Sequence, residues 1–154
     1  MISYENALHK AAAYCSLSEK CPFDVQEKLR KWEVADADAT KIIAHLKKEK
    51  FIDERRYCVA FAKDKSRFDK WGQQKIAYAL QAKHLPREYI HEAISSLNQD
   101  DIFENLKEIL SQKQRTIKYK DEQDKKAKLM RFAASRGFEP EMIYRYFLSL
   151  HKKT

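Results

Sequence analysis

The sequence predicts an all-α fold of three tandem three-helix repeats, about nine helices in an elongated, curved array. Three apolar faces carry this prediction, each with apolar residues spaced i, i+3, i+4 and i+7 along a helix. The chain also has only two glycines, three prolines and 35% charged residues, which suits long helices with solvated outer faces rather than tight hairpins. The faces, offset by 51 and then 53 residues, are Ala39-Ile42-Ile43-Leu46, Ile90-Ala93-Ile94-Leu97 and Ile143-Tyr146-Phe147-Leu150.

The same apolar spacing extends upstream of each face. Three further positions precede every copy, with gaps of four and five residues and then twelve to the closing leucine: Val25-Leu29-Val34, Ile76-Leu80-Leu85 and Leu129-Ala133-Phe138. A period near 50 residues is typical of helical repeat arrays. We therefore predict repeats at 1–50, 51–98 and 99–154. The alternative, that any all-helical chain shows some self-similarity, stays open at this point.

Capping residues predict where the helices of the first repeat begin. Ser3 is the predicted N-cap of a helix over 3–15. Pro22 suits the first turn of the second helix, where its missing N–H costs nothing. Asp36 or Asp38 is the predicted cap of the third helix.

In the second repeat, Asp53 is the predicted N-cap of a helix that we expect to continue to Trp71. Gly72 then allows the chain to turn into a helix over 73–83, and Pro86 begins the next one.

In the third repeat, Asp100 or Asp101 is expected to begin the seventh helix. The eighth helix is predicted to stop at Gly137, a residue suited to a left-handed C′ position. Glu33 and His84 occupy the equivalent positions of the other repeats, so the sequence predicts this cap securely only in the third.

The net charge of +8 is concentrated towards the carboxyl end, with +1 in 1–50, +2 in 51–100 and +5 in 101–154. Positive charge of this kind favours a polyanionic partner, either nucleic acid or a protein with an acidic surface. A basic protein without such a partner remains the alternative, because charge alone identifies no partner.

The sequence contains no positive indication of an enzyme, a cofactor or a metal site. The five histidines form no i, i+4 pair and none has a cysteine at ligand spacing. Two glycines cannot supply a phosphate-binding loop, and no nucleophile motif surrounds any serine. The three cysteines have no framework spacing, and neither a signal peptide nor an apolar span is apparent. We therefore expect reduced thiols, a cytoplasmic location and no membrane contact.

A first basic cluster occupies the second repeat, and we predict that it binds the partner or DNA. Helical spacing places Lys63, Arg67 and Lys70 on one side with Trp71 beside them. Such a surface can cross a phosphate backbone or an acidic protein surface. The alternative is a solvated helix face with Trp71 in the core. The predicted residues are Lys63, Lys65, Arg67, Lys70, Trp71 and Lys75.

A second basic cluster lies in the third repeat, in and around its longest predicted loop. It contains Lys113, Arg115, Lys118, Lys120 and Arg131 together with the three residues that we predict as binding residues, Lys125, Lys126 and Lys128. We expect it to act by charge alone. Neither cluster contains a motif that reads nucleotide sequence, so weak and non-specific contact with single- or double-stranded DNA is the expectation.

The join of the first two repeats contains residues 46–57 (LKKEKFIDERRY) and 60–62 (AFA). This order of a leucine, a short basic link, an aromatic-aspartate turn and an arginine-aromatic-alanine helix resembles the RecX family, bacterial regulators of the RecA recombinase. Residues 71–76 (WGQQKI) and 136–138 (RGF) resemble later parts of the pattern. Lys50 stands where the family commonly has glycine, and Gln73 where it often has proline.

The resemblance implies a non-catalytic regulator of DNA repair by homologous recombination. RecX-like proteins lie in the groove of the RecA–DNA filament, contact adjacent RecA protomers, and suppress strand exchange and ATP hydrolysis. On this basis we expect a monomer that binds the RecA filament. A module that binds nucleic acid non-specifically is the second hypothesis, and a scaffold for an unrelated protein is the third.

Overall fold

The computed structural model describes residues 2–151, and these residues form nine α-helices and no strand. Three helices lie within each predicted repeat, and the predicted all-α fold of tandem three-helix repeats is confirmed. None of the described helices combines the length and apolar character that a bilayer span requires. The helices are α1 (Tyr4–Leu17), α2 (Pro22–Lys31), α3 (Asp36–Lys48), α4 (Glu54–Phe68), α5 (Gln73–Ala82), α6 (Arg87–Ser95), α7 (Gln99–Gln114), α8 (Glu122–Ser135) and α9 (Pro140–His151).

Three of the predicted helix starts are confirmed. Ser3 Oγ accepts a hydrogen bond from the Asn6 amide at 3.2 Å, and Pro22 is the first residue of α2. Asp53 Oδ1 accepts from the Arg56 amide at 3.0 Å, one turn into α4. Ser3 and Asp53 each accept a hydrogen bond from a backbone donor that a helix leaves free at its amino end, and Pro22 has no such donor.

The predicted cap of α3 is wrong, and α7 begins at Gln99, just before the predicted Asp100 or Asp101. Ala35 is the residue before α3 and has no side-chain cap, so Asp36 lies inside the first turn, where its carboxylate favours the helix dipole instead. The α7 cap is Asn98, whose Oδ1 accepts from the Asp101 amide at 3.0 Å. Acidic residues suit both positions, which is why sequence alone did not separate them.

The middle helix of every repeat ends in the same left-handed turn. Glu33 (φ 61), His84 (φ 61) and Gly137 (φ 93) all have positive φ, although only one of them is a glycine. The amide of the next residue then bonds back to the carbonyl five residues earlier, from Val34 to Leu29, Leu85 to Leu80 and Phe138 to Ala133. These pairs are the predicted repeat positions. The fixed gap of five residues is therefore the signature of a Schellman motif and its accompanying apolar contact.

The chain divides into two compact units. The first contains the chain up to Ala60 together with Leu80–Ile90, and the second contains Phe61–Ala79 and the chain from His91 onward. The division passes through α4, α5 and α6. The two units do not test the three repeats predicted from the sequence, so the boundaries of those repeats stay a prediction.

In the first unit, α1, α2 and α3 pack around a core of small and aliphatic side chains. Its fully buried members include Ala11, Val25, Leu29, Ile42 and Leu46. Each buried valine, leucine or isoleucine contributes roughly 1.5–3 kcal/mol relative to an exposed side chain.

A partly buried polar contact also holds the first unit together. Lys83 Nζ donates to Asp24 Oδ1 at 2.9 Å and to the Tyr57 hydroxyl at 2.8 Å. Asp24 belongs to α2 and Tyr57 to α4, so the lysine joins helices of two repeats inside this unit.

In the second unit, α7, α8 and α9 form the corresponding core. It includes Leu106, Leu110, Leu129, Phe138 and Phe147. The predicted apolar face of α9 is buried except at its last residue, Leu150, which is 46% exposed in the final turn of the helix.

Candidate functional site

The six predicted residues of the first basic cluster all lie in the second unit, but the structure separates them into two groups. α4 ends at Phe68, earlier than predicted, because Lys70 adopts a left-handed backbone conformation with φ 57. The turn that follows carries Trp71 towards Lys65 and Lys75 rather than towards Lys63 and Arg67.

Lys65, Trp71 and Lys75 form the first group, which we call the tryptophan patch. The two lysine Nζ atoms lie 4.7 Å and 4.6 Å from the centre of the indole ring. Cations at this distance from tryptophan are attracted by the ring, by about 0.5–1 kcal/mol at an exposed site. Phe61 contacts the indole edge-on with ring centres 6.4 Å apart. The indole ring is half-buried, with the apolar side chain of Phe61 on one side and the cations of Lys65 and Lys75 beside it.

The turn that presents the tryptophan patch is fixed by the backbone of a second turn. The Gly72 amide donates to the Arg136 carbonyl at 2.8 Å, and the Gln74 amide donates to the Gly137 carbonyl at 2.9 Å. A Cβ on Gly72 would lie 2.3 Å from the carbonyl carbon of Gly137. The two glycines of the chain therefore touch each other, and their missing side chains allow the α4–α5 turn and the α8–α9 turn to approach this closely.

Lys63, Arg67 and Lys70 form the second group and line one wall of a groove of about 650 Å³, which we call the charged groove. The opposite wall is formed by three carboxylate residues of α7, Asp101, Glu104 and Glu108. Lys70 Nζ reaches Glu108 at 3.5 Å. Ser66, Ser96, Leu97, Asn98 and Asn105 complete the lining.

A buried amide fixes the basic wall of the charged groove against α7. Asn105 Nδ2 donates to the Ser66 carbonyl at 2.9 Å, near the carboxyl end of α4. The bond gives a partner to one of the carbonyls that the helix leaves free at that end. Both residues are buried, so the contact excludes solvent and sets the separation of the two walls.

The acidic wall was missed in the sequence analysis. Asp101, Glu104 and Glu108 are spaced by three and then four residues, which places them on one face of a helix. That spacing is visible in the sequence. The distance between this face and the lysines of α4 depends on tertiary packing and is not visible there.

The second basic cluster is organised by α8 and the loop before it. Lys128 Nζ donates to the Lys118 carbonyl at 2.6 Å and lies 3.3 Å from Asp124. Lys125 Nζ lies 5.3 Å from the ring centre of Tyr119, and Lys126 is exposed. The three predicted residues thus lie on one α8 segment, and Lys125 and Lys128 help to hold the loop.

Asp124 fixes the start of α8 beneath these lysines. Its Oδ2 accepts a hydrogen bond from the Lys120 amide at 3.0 Å. That bond, with a smaller contribution from Lys128, lowers the pKa of Asp124 below its ordinary value. The carboxylate is therefore charged throughout the neutral range and offsets part of the positive charge of the cluster.

Within residues 2–151, no group of three or more histidine, cysteine, aspartate or glutamate side chains is arranged to hold a metal ion. Cys15, Cys21 and Cys58 are buried free thiols. Burial raises the pKa of Cys21 and of Cys58 to about 11, so both are protonated at neutral pH.

Two sequence models of one family match this chain. The model described as "RecX, second three-helix domain" matches residues 53–94, and "RecX, third three-helix domain" matches residues 99–147. Together these segments make up more than half of the chain and follow the second and third predicted repeats.

Curated proteins named "Regulatory protein RecX" are similar to this chain. The protein of Clostridium beijerinckii is 33% identical over 121 residues, which cover 77% of this chain and 56% of the relative. That of Clostridium acetobutylicum is 30% identical over 141 residues, covering 88% and 64%. The chain thus spans between 56% and 64% of the length of these relatives.

Solved structures support the fold independently. The crystal structure of RecX from Lactobacillus salivarius superposes with a TM-score of 0.81 at 16% identity, covering 96% of both chains. A second structure, of regulatory protein RecX, gives a TM-score of 0.78 at 18% identity over 90% of this chain and 70% of the other. These superpositions show the fold, and the two family models with the curated relatives establish that the chain belongs to the RecX family.

Proposed function

We propose that this protein binds the RecA–DNA filament and regulates recombination, mainly by inhibiting strand exchange and ATP hydrolysis, without catalysing a reaction itself. Membership of the family of regulatory RecX proteins supports this proposal. We further propose that the protein acts in the bacterial cytoplasm, as a monomer, on filaments formed during DNA repair.

The tryptophan patch is the observation that carries the proposal at the residue level. Tryptophan is enriched among the few residues that dominate the binding energy of protein–protein interfaces. Lys65 and Lys75 flank the indole, and the backbone contact of Gly72 holds the turn in place before any partner arrives. Little conformational entropy is then lost at this turn on binding.

Inhibition of RecA ATP hydrolysis on single-stranded DNA tests the proposal. We expect the wild-type protein to inhibit, and the Lys65→Glu, Lys75→Glu double variant to need at least about tenfold more protein for the same inhibition. Trp71→Ala should weaken inhibition by a similar factor. A Lys63→Glu, Arg67→Glu double variant tests the charged groove in the same assay.

The matched control is Lys31→Glu, Lys41→Glu, which makes the same change in net charge on exposed lysines of the first unit. We expect it to inhibit within about threefold of wild type, since neither lysine belongs to the tryptophan patch and an exposed charge outside the binding surface acts only through screened attraction. Absence of inhibition by the folded wild-type protein would reject the proposed function. Equal loss in all double variants would reject the assignment of the tryptophan patch.

Non-specific nucleic-acid binding is the second candidate function. It is favoured by the three predicted lysines of α8, which we call the α8 cluster: Lys125, Lys126 and Lys128. Lys125 lies beside the ring of Tyr119, which is 45% exposed, and Lys126 is exposed nearby in sequence. Cations beside an accessible aromatic ring suit a single strand, which offers phosphates and base faces together. Affinity for bare DNA that matches affinity for the RecA filament at equal salt would favour this candidate over the first.

A further inference from the structure

The charged groove combines unpaired groups of opposite sign on its two walls. Lys63 and Arg67 line the α4 wall and Asp101 lines the α7 wall. Within residues 2–151, none of these three has an ion-pair partner within 4.0 Å, whereas Lys70 reaches Glu108 at 3.5 Å. The two walls therefore form an ion pair between Lys70 and Glu108, whereas Lys63, Arg67 and Asp101 are too far apart to pair with each other.

The lining disfavours a nucleic-acid strand. A phosphate placed beside Lys63 and Arg67 would face the carboxylates of Asp101, Glu104 and Glu108 across the groove. Like charges a few ångströms apart repel each other more strongly near a protein surface than in bulk water, because the effective dielectric constant there is lower. Every phosphate of a strand has the same sign, so each would meet this repulsion.

A polypeptide that carries both acidic and basic side chains does not meet this repulsion. Acidic side chains of such a segment can approach Lys63 and Arg67 while a basic side chain approaches Asp101. Glu104 and Glu108 already pair with Lys107 at 3.1 Å and with Lys70 at 3.5 Å. The volume of about 650 Å³ is within the roughly 300–1,000 Å³ typical of ligand sites. Ser66, Ser96 and Asn98 supply hydrogen-bonding groups along the lining.

We propose that the charged groove binds a polypeptide segment carrying both acidic and basic side chains, and that it does not bind nucleic acid. This inference depends on the proposed function for the identity of the partner, a RecA protomer of the filament. It assigns Lys63, Arg67 and Lys70 to contact with protein. It also adds Asp101, Glu104 and Glu108 of α7 to the binding surface.

Asp101→Lys and Asp100→Lys provide a matched pair for the first test. The two residues are adjacent, exposed and in the first turn of α7, but only Asp101 lines the groove. Both variants therefore make the same change in net charge and in the helix dipole. Equal thermal midpoints confirm that both remain folded to the same extent.

Two affinities are measured for each variant. Cosedimentation gives the affinity for RecA filaments on single-stranded DNA, and a separate titration gives the affinity for the bare strand. We expect Asp101→Lys to weaken filament binding at least about fivefold relative to Asp100→Lys, while both bind the bare strand as tightly as wild type or more tightly. If Asp101→Lys binds the filament as tightly as Asp100→Lys, the inference is wrong. If folded wild-type protein does not bind the filament at all, the proposed function fails and the second test decides the inference.

The second test needs no RecA. Nuclear magnetic resonance titration compares a peptide of alternating Glu and Lys, an uncharged peptide of the same length and a thymidine oligonucleotide. We expect only the mixed-charge peptide to shift the backbone amides of Ser66, Arg67 and Asp101, and we expect Asp101→Lys to remove that shift. Larger shifts at these amides with the oligonucleotide, or none with the mixed-charge peptide, would overturn the inference.

Discussion

Glu33 has a left-handed backbone that its side chain disfavours. It lies at the position that Gly137 occupies in the third repeat, with φ 61. For an L-residue this conformation costs roughly 1–2 kcal/mol, a cost that glycine does not have. Glu33 is exposed, so its side chain adds no core packing that would offset the cost.

We expect Glu33→Gly to stabilise the protein by about 0.5–1 kcal/mol, since relief of the strained φ exceeds the added entropy of glycine in the unfolded chain. The midpoint of urea unfolding measures the change. Glu33→Ala is the matched control, because it removes the same side chain but keeps a Cβ and should leave the midpoint nearly unchanged. Equal effects of the two variants would show that the side chain, not the backbone, decides stability here.

Because Cys21 and Cys58 are buried thiols, we expect the folded protein to lose stability in alkali. Burial raises the pKa of Cys21 and Cys58 to about 11, whereas an ordinary thiol in the unfolded chain titrates near 9.0. Below pH 9 both states are protonated and the groups have no effect on the pH dependence. Above pH 9 the unfolded state loses its protons first, so stability should fall until about pH 11.

Urea midpoints at pH 8, 9 and 10 measure this slope. Cys58→Ala should be less stable at pH 8, because it leaves a small cavity, but should lose less stability between pH 8 and pH 10 than wild type. A slope that Cys58→Ala does not reduce would assign the alkaline loss to other groups, such as Tyr57, whose pKa burial also raises.

At the scale of elements, the contact between the α4–α5 and α8–α9 turns depends on Gly72. A Cβ there would lie 2.3–2.4 Å from backbone atoms of Gly137 and Phe138, which cannot move aside as a flexible side chain can. We expect Gly72→Ala to separate the turns, break the bond of the Gly72 amide to the Arg136 carbonyl, and destabilise the protein by about 3 kcal/mol.

Thermal unfolding and amide exchange together measure this effect. Exchange at Gln74 should accelerate in Gly72→Ala, because its bond to the Gly137 carbonyl is lost with the contact. Gln74→Ala is the control: it removes an exposed side chain from the first turn of α5, keeps the amide, and should change stability by less than about 0.5 kcal/mol. Unchanged exchange in Gly72→Ala would show that the turns tolerate separation.

Local sequence signals predicted the helices well because their causes are local. The spacing Leu29–Val34 repeats as Leu80–Leu85 because one turn geometry bonds these residues in each repeat. The left-handed conformations of Glu33 and His84 were not predicted, since glycine is the usual sequence signal for them. There the apolar contact across the turn overrides the local preference.

The candidate site was less predictable because it depends on contacts between distant segments. Helical spacing correctly placed Lys63 and Arg67 on one side of α4, where both line the groove. It placed Trp71 with them as well, because the predicted helix ran past its actual end at Phe68. The approach of Gly72 to Gly137, 65 positions later in the sequence, has no local signal at all.

At the scale of the whole molecule, the net charge of +8 overstates the attraction for nucleic acid at some surfaces. In the charged groove, three cations face three carboxylates. In the α8 cluster, Lys125 and Lys128 are paired with Glu122 and Asp124, whereas Lys126 is exposed and belongs to neither pair. Equal numbers of lysine and arginine residues should therefore release different numbers of counterions on DNA.

The salt dependence of binding to bare single-stranded DNA tests this difference. Each lost phosphate contact lowers the slope of log affinity against log salt by about 0.7. We expect Lys125→Ala, Lys126→Ala, Lys128→Ala to reduce the slope by about 2, since all three cations lie on one segment. Lys63→Ala, Arg67→Ala, Lys70→Ala should reduce it by less than about 0.7, because the α7 carboxylates keep phosphates out of the groove.

The two triple variants have the same net charge, so each is the control for the other. Equal reductions would mean that total charge, and not its arrangement, governs contact with DNA.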